Sequence, residues 1–413
     1  MKNSPLISFF GKFLLLTVSL IICLTALEFG AKHFLFNEDE RHKGVSKIWA
    51  TYRNTFVWEL GQNNGCPYTE VIVPHPYLSH VFAHDTTGPC KMTRINNKGM
   101  QDSRDIEPYV NPEFYSILVV GGSVAHQIVS SLSDMNWIEE ELNKNYISPN
   151  GKPFRVLSGG GGGWKVPLQN ILMVLYGNKV DAVISVDGFN EASHVYDGRP
   201  IDIPTTEILI RVYNMDNFLV KNTIDFLKVW RRWMAESSIL QHSYLGFAIF
   251  RGIMNLIDTP EVSQERREII DRHFKFPPEF TKEQRDDWSR NEFIKYQRLM
   301  FAMAKELKIK YVHFLQPIPA IDKPLTEEES SYADAIFPAA LYKSVFMSAV
   351  SELQKNGYPS VSLVDVFKGN KETLYGDFVH CKIVNGTESP CYAIMSKRIT
   401  EELAKLWKLK KKI

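Results

Sequence analysis

The sequence has few cysteines and almost no excess of charge. Its 413 residues include 5 Cys, and 48 Lys and Arg stand against 47 Asp and Glu, a formal net charge of +1. No two cysteines have the Cys-x-x-Cys spacing of a zinc site. A chain this close to neutrality lacks the basic surface that nucleic acid requires, so nucleic acid is not an expected partner.

A nucleotide-binding loop is also lacking. The glycine run Gly159–Gly163 leads into Trp164 and Lys165 instead of the Gly-Lys-Ser/Thr end of a phosphate-binding loop. The histidines His75, His80 and His84 are separated by five and four residues, which fits no standard ligand pattern, and neighbouring prolines argue against a helix that would align them. We therefore expect neither a cofactor nor a metal.

Only the N-terminus carries a long apolar run. Leu6 to Leu27 spans about 33 Å as a helix, enough to cross a bilayer. Lys2 and Lys12 lie on its N-terminal side, which predicts a cytoplasmic N-terminus and an extracytoplasmic chain beyond the run. A cleaved signal peptide is the alternative, but no pair of small residues marks a cleavage site. We predict an uncleaved anchor over residues 1–30.

The cysteines outside the apolar run form two local pairs, Cys66 with Cys90 and Cys381 with Cys391. Free buried thiols and disulfides are both compatible with this spacing. An extracytoplasmic location favours disulfides. We predict a bond between Cys381 and Cys391, which would hold the short loop between them.

From residue 113 onward, short apolar strands alternate with helical segments. The predicted strands are 117–120, 155–157, 181–186, 311–317 and 360–366, and the predicted helices include 166–176, 288–307 and 392–407. This alternation predicts an α/β fold with a central parallel sheet and helices on both faces. Residues 31–112 are rich in turn formers and predict an irregular extension before a domain at 113–413.

A long insertion, about 199–281, separates the third and fourth predicted strands. It is rich in Trp, Phe, Leu, Lys and Arg, and we interpret it as mostly helical. A lid, a surface subdomain and a face lying on a membrane are all compatible with this composition. The basic run 408–412 at the C-terminus is interpreted as a solvated tail, with contact to anionic lipid as the alternative.

Two sets of polar residues follow the predicted strands. Ser123 comes directly after an apolar strand and two glycines, at the sheet edge where open α/β folds bind ligands. It is either a helix cap or a nucleophile. Near the C-terminus, Asp377 and His380 are three residues apart, so the carboxylate can hold one imidazole nitrogen while the other acts as a base.

In chain order the motifs are Gly-Gly-Ser, a glycine turn, Gly-x-Asn and Asp-x-x-His. This pattern resembles the SGNH hydrolase superfamily, the GDSL esterases and lipases, in a membrane-anchored bacterial form. The resemblance implies a flavodoxin-like three-layer α/β/α sandwich. It implies Ser123 as nucleophile, His380 as base and Asp377 as its acid partner. The implied oxyanion hole consists of Ser123, Gly163 and Asn190.

Two positions depart from the family pattern. Gly122 stands where the family often has Asp, and Glu191 stands where it often has Asp after the asparagine. The first change removes no catalytic group, whereas the second bears on how the loop around Asn190 is supported. Within the glycine run, a one-residue shift in alignment would move the oxyanion donor to Gly162 or Gly161.

The expected function is a membrane-anchored, extracytoplasmic serine esterase or acyltransferase. Its expected substrate is an ester-bearing glycan or lipid of the cell envelope, because an anchor would hold the domain beside such molecules. A catalytically inactive glycan-binding or assembly protein on the same fold is the alternative. The complete set of Ser, His, Asp and Asn argues against it, since a binding module does not need all four residues.

Overall fold

A computed structural model describes residues 5–46, 48–49, 72–83, 94–129, 135–203, 237, 242–257, 274–319, 321–333, 339–384 and 388–412. The strands are β1 Ile72–His75, β2 Ser79–Phe82, β3 Tyr115–Gly121, β4 Tyr146–Ile147, β5 Phe154–Gly160, β6 Ala182–Asp187, β7 Lys310–Leu315, β8 Ser360–Ser362 and β9 Lys410–Lys411. The helices are α1 Pro5–Phe34, α2 Glu38–Lys43, α3 Ser123–Val129, α4 Trp137–Asn145, α5 Val166–Tyr176, α6 Phe189–Tyr196, α7 Tyr244–Ile257, α8 Lys282–Leu307, α9 Glu327–Ala333, α10 Ala339–Leu341, α11 Ser348–Lys355 and α12 Pro390–Trp407. A 3-10 turn covers Gly177–Lys179, and a π-helical segment, Tyr342–Met347, joins α10 to α11.

The chain forms two compact units. One comprises Thr69–Tyr213 with Ile269–Ile413, and the other comprises Met1–Tyr68 with Asn214–Glu268. The sequence predicts one domain over residues 113–413 that includes the insertion at about 199–281. In the structure, α7, which lies within this insertion, groups with the N-terminal segment.

The first unit is built on a five-stranded sheet in the order β5-β3-β6-β7-β8. All four pairings are parallel. In chain order of these strands the arrangement is 2-1-3-4-5, the flavodoxin-like order, and it confirms the predicted fold class. The last strand ends at Ser362, earlier than predicted, because the chain from Leu363 makes a turn in which Val366 N–H donates to the Leu363 carbonyl.

Helices cover both faces of this sheet, because its strands are apolar on both sides. Along β3, Leu118 and Val120 pack with α5 and α8, whereas Ile117 and Val119 pack with α3, α4 and α12. This alternation follows from the two-residue period of a strand. The consequence is a three-layer sandwich whose loops at the carboxyl edge carry Ser123, the glycine run and Asn190.

Segments before and after the sheet add smaller pairings. The predicted irregular extension contains α2 and the antiparallel hairpin β1–β2, which turns at residues 76–78 and enters β2 at Ser79 with φ of 65°. At the other end, β9 pairs antiparallel with β4, and Lys412 N–H donates to the Asn145 carbonyl. The lysine side chains of the basic C-terminus are exposed, as expected for a solvated segment, while its backbone pairs with β4.

The second unit is described at α1, α2 and α7. Its core contains Ala31, Phe36 and Trp49 from the N-terminal segment with Phe247 and Phe250 from α7. Residues 204–236 and 258–273 of the predicted insertion lie outside the described residues, as do Cys66, Cys90 and His84.

Candidate active site

Ser123 stands at the turn from β3 into α3. It is the first residue of α3, and the Gly122 carbonyl before it accepts the N–H of His126. A Cβ built on Gly122 would lie 2.2 Å from Asn190 Nδ2, so any side chain at 122 would displace the asparagine amide. This close approach is a physical reason for glycine at the position where the family often has Asp.

Asp377 and His380 lie in a tight loop after β8. A bridge pairs Tyr375 with Cys381 and closes the loop, with Gly376 N–H donating to the His380 carbonyl. A disulfide between Cys381 and Cys391 ties its far end to α12, as predicted, with Cα atoms 5.5 Å apart. The loop is therefore held at both ends while its side chains face the sheet edge.

These residues form one hydrogen-bonded chain with Ser123. His380 Nε2 lies 2.6 Å from Ser123 Oγ, and His380 Nδ1 lies 2.9 Å from Asp377 Oδ2. The other carboxylate oxygen, Asp377 Oδ1, accepts the backbone N–H groups of Val379 and His380 at 2.8 and 2.7 Å. The predicted Ser, His and Asp are thus brought together in the order that nucleophilic catalysis requires.

The electrostatics favour a carboxylate at Asp377. Burial alone would raise its pKa, but the charge of His380 and the three hydrogen bonds outweigh burial and hold the pKa below its ordinary value. One turn along α3, burial and, to a lesser extent, the charge of His380 together lower the pKa of His126 to about 4. His126 is therefore neutral near pH 7.

Of the oxyanion donors predicted from the sequence, the Asn190 side-chain amide lies beside Gly122, the residue before Ser123. Asn190 Nδ2 donates one hydrogen to the Trp164 carbonyl at 2.7 Å, and the same nitrogen carries a second hydrogen. Gly161 N–H donates to the Gly121 carbonyl. Because this N–H already has an acceptor, the alternative alignment with Gly161 as an oxyanion donor is less favoured. Gly163 has φ of 71°, a left-handed conformation that favours glycine.

Glu191 joins the two loops that carry these donors. Its Oε2 accepts Gly188 N–H at 2.9 Å, and its Oε1 accepts Val166 N–H at 2.8 Å, just beyond the glycine run. Burial and the charge of Asp187 raise the pKa of Glu191 to about 8, although the hydrogen bonds from the backbone oppose the rise. The shorter Asp that the family often has is replaced here by a side chain that reaches both loops.

Phenylalanines from the two loops also meet. Phe189, between Gly188 and Asn190, stacks on Phe378, between Asp377 and Val379, with ring centroids 5.7 Å apart. This contact couples the asparagine loop to the acid–base loop through apolar packing.

A buried polar chain behind Asn190 was missed from the sequence. Asp187 Oδ1 lies 2.8 Å from His313 Nε2, and the other nitrogen of that ring contacts the Ser360 hydroxyl. Gln297 Nε2 donates to Asp187 Oδ2. The available signal was a histidine in the middle of an apolar strand, which in a buried sheet needs a partner on a neighbouring strand.

A second missed feature supports the acid–base loop. Glu329 Oε1 accepts the N–H groups of Leu374 and Tyr375, two residues before Asp377, and Oε2 pairs with Lys323 Nζ at 2.5 Å. Both charged side chains are almost fully buried. Their separation from Asp377 in sequence explains why no local pattern indicated this contact.

The histidines considered for a metal have other contacts. His75 Nδ1 accepts the N–H groups of Tyr77 and Leu78, and His80 Nδ1 lies 2.9 Å from the Ser79 hydroxyl. Burial lowers the pKa of His80 to about 4, and a hydrogen bond with the Gly162 backbone opposes it. Within the described ranges, no group of three or more His, Cys, Asp or Glu side chains is arranged to hold a metal ion.

No protein-family profile matches this chain. A search of curated proteins also finds no match. Solved structures do resemble the fold. A GDSL-like lipase from Bacteroides thetaiotaomicron is 10% identical, with 71% of this chain and 89% of that chain covered and a TM-score of 0.32. A lipase/acylhydrolase from Enterococcus faecalis is 14% identical, with 73% and 100% covered and a TM-score of 0.34.

An acetyl xylan esterase is 11% identical, with 70% of this chain and 98% of that chain covered and a TM-score of 0.33. These similar structures bear the name of the superfamily that the motifs resemble, or the names of related esterase activities. Similarity this distant carries no weight for the chemistry, which is argued below from the side-chain geometry.

Proposed function

We propose that this chain is a serine esterase of the SGNH type that cleaves or transfers an acyl group. The supporting observation is the hydrogen-bonded chain from Ser123 through His380 to Asp377, with the Asn190 amide held beside Gly122. A binding protein has no use for a serine hydroxyl placed 2.6 Å from an imidazole that a carboxylate orients.

The first half of the proposed reaction forms an acyl-enzyme. Ser123 Oγ attacks the ester carbonyl carbon while His380 Nε2 takes the hydroxyl proton. The negative oxygen of the tetrahedral intermediate is met by the backbone N–H groups of Ser123 and Gly163 and by Asn190 Nδ2. The carbon–oxygen bond to the alcohol then breaks, and His380 returns the proton to the leaving alkoxide.

The second half releases the acyl group. Water, or a hydroxyl of an acceptor molecule, loses its proton to His380 as its oxygen attacks the acyl carbon. Collapse of the second tetrahedral intermediate breaks the bond to Ser123 Oγ, which recovers the proton from His380. Asp377 stays ionised throughout and holds His380 in the tautomer that presents Nε2 to the serine.

The test is hydrolysis of p-nitrophenyl acetate by the purified full-length chain. We expect wild-type turnover well above the spontaneous rate and its near-complete loss in Ser123→Ala. Ser344→Ala, a change at an exposed helical serine, is the matched control and should retain turnover. Equal turnover in wild type and Ser123→Ala would remove the esterase proposal and favour the alternative of a glycan-binding protein.

We also propose that α1 is a retained membrane anchor that places the remaining chain outside the cytoplasm. The helix contains an apolar window, Leu15–Phe34, of mean hydropathy 1.7 that is almost entirely exposed. Its C-terminal part supplies Ala31 to the core that α7 shares, so cleavage near residues 27–32 would remove packing partners of a folded helix. N-terminal sequencing of the mature protein should find the original N-terminus, and a start between residues 27 and 32 would contradict retention.

The proposed substrate is an ester on a glycan or lipid of the cell envelope. The support is the proposed anchor, since a tethered enzyme meets membrane and wall components at high effective concentration. Release of short-chain acids from envelope fractions by wild type, but not by Ser123→Ala, is the expected outcome. Activity restricted to soluble esters would refute this substrate class.

A further inference from the structure

We propose that α7, the described helix of the insertion, begins in the boundary layer of the bilayer and contacts lipid beside α1. This inference rests on the proposed retention of α1 as an anchor. It assigns the insertion a membrane-contacting surface, one of the three roles that its composition left open.

The first observation is the position of Glu28 on α1. Glu28 directly follows the apolar run that ends at Leu27, and large apolar side chains stay exposed on both sides of it. Leu27 is 54% exposed and Phe34, at the end of the helix, is 86% exposed. A carboxylate at this level of a membrane helix requires hydrogen-bond partners, because lipid offers few.

The N-terminus of α7 supplies those partners. The Glu28 carboxylate accepts the Ser243 hydroxyl at 2.7 Å and the backbone N–H groups of Tyr244 and Leu245 at 2.5 and 3.1 Å. These are among the first N–H groups of a helix, which lack partners within it, and the helix dipole favours a negative charge at that end. The start of α7 is therefore fixed at the level of Glu28.

A second set of contacts, made by Arg251 two turns further along α7, fixes the direction of this helix. Arg251 Nη2 donates to the Leu35 carbonyl at 2.7 Å, and Nη1 pairs with Glu40 at 3.1 Å. Leu35 lies seven positions after Glu28, and Arg251 lies seven positions after Tyr244. Each interval corresponds to a rise of about 10 Å along a helix. The two helices therefore run side by side in the same direction, and the first two turns of α7 lie at the levels of Glu28 to Leu35.

The side chains in this 10 Å layer fit a lipid boundary better than water. α7 carries no charged residue before Arg251. Phe247 and Phe250 pack inward, whereas Ile249 is 49% exposed at the level where Phe34 is also exposed. Lys32 lies over the Tyr244 ring at 5.5 Å, and aromatic and lysine side chains are typical of the membrane interface. Continuity with the apolar surface of α1 identifies lipid as the occupant.

The test places a fluorescent probe at Ile249→Cys in the full-length chain, with Cys23, Cys66 and Cys90 changed to Ser. The protein is inserted into phosphatidylcholine vesicles that contain lipid with a nitroxide near the headgroup. Leu20→Cys, in the apolar part of α1, is the lipid-exposed reference. Val174→Cys, 69% exposed on α5 of the other unit, is the aqueous reference.

We expect the nitroxide lipid to quench the probe at Ile249 at least half as strongly as the probe at Leu20, and aqueous iodide to quench mainly the probe at Val174. Glu28→Ala should weaken lipid quenching at Ile249 several-fold and leave Leu20 unchanged. Glu38→Ala, which removes a carboxylate from α2, is the matched control and should change neither.

The outcomes separate this inference from the anchor proposal. Quenching of Leu20 by lipid with Ile249 behaving like Val174 would overturn the inference alone. Protection of Ile249 from both quenchers would show that protein covers this face and would also overturn it. Absence of lipid quenching at Leu20 would overturn the anchor, and the inference with it.

Discussion

Replacing Asp377 by Asn separates the catalytic role of this residue from its structural role. The carboxylate makes three contacts, with His380 Nδ1 through one oxygen and with the N–H groups of Val379 and His380 through the other. In Asp377→Asn the amide oxygen can still accept the two backbone donors. The amide NH2 then faces His380 Nδ1, where a donor replaces an acceptor.

The imidazole must respond by changing tautomer. Nδ1 accepts from the amide, and the ring proton moves to Nε2, which can no longer accept the hydroxyl proton of Ser123. Loss of the correct tautomer costs about 10⁴-fold in turnover in serine hydrolases. The unfolding free energy should fall by about 1–3 kcal/mol, because the hydrogen bonds are kept but their acceptor loses its charge.

Two further variants separate loss of the His380 tautomer from loss of stability. Asp377→Ala removes all three contacts and should lower the unfolding free energy by about 4.5 kcal/mol or more, at about 1.5 kcal/mol or more for each bond to a charged group, with turnover lost as well. Asp102→Asn is the matched control, since Asp102 accepts the backbone N–H groups of Arg104 and Ser158 but contacts no imidazole. It should retain turnover near wild type.

The assay is p-nitrophenyl acetate turnover with the melting temperature measured on the same samples. Turnover of Asp377→Asn within about tenfold of wild type, with unchanged melting, would refute the orienting role of Asp377. Equal losses of activity in Asp377→Asn and Asp102→Asn would show that stability, not the tautomer, accounts for the effect.

Three other predictions follow from the same contacts. Asn190→Ala should lower turnover by about 100-fold or more while the melting temperature stays close to that of wild type, because one oxyanion donor is lost and the nucleophile is kept. A parallel fall in turnover and melting temperature would contradict the role of Asn190 as an oxyanion donor. Cys381→Ser should lower the unfolding free energy by about 2–4 kcal/mol, with a smaller effect on turnover, which non-reducing melts and kinetics would measure. Burial opposes ionisation of Glu329, but its hydrogen bonds with Lys323 and the backbone hold its pKa below the ordinary value of 4.5. The stability that Glu329 contributes is therefore present above about pH 4.5 and is lost as the pH falls through the lowered pKa. On acidification, the melting temperature of wild type should fall by more than that of Glu329→Gln. An equal fall in the two proteins would contradict this prediction.

The parallel sheet was predictable because its strands are buried on both faces and appear as continuous apolar runs. Ile117–Val120 shows this clearly, since all four side chains are fully buried. The carboxyl ends of such strands share one edge, so Ser123 and Asn190 were expected near each other. The fifth strand was overestimated because Leu363 and Val364 are buried in a turn after the strand, and apolar content alone does not separate the two.

Features that depend on distant partners were not predictable from local pattern. The Glu329 support of the Leu374 turn and the pairing of Asp187 with His313 each join residues far apart in sequence. The contact of Glu28 with the start of α7 spans more than 200 residues, and no local pattern in the sequence indicates it. Glu191 was visible as a departure from the family motif, but its reach to Val166 required the folded glycine loop.

The most direct test of whether His380 activates Ser123 is covalent labelling of this serine. The full-length chain is treated with a fluorophosphonate, which reacts with serines activated by a neighbouring base, and the modified peptide is mapped by mass spectrometry. We expect one adduct per chain on Ser123, none in Ser123→Ala, and much slower labelling in His380→Ala. Stoichiometric labelling of a different serine, or equal labelling rates in wild type and His380→Ala, would contradict the claim that His380 activates Ser123.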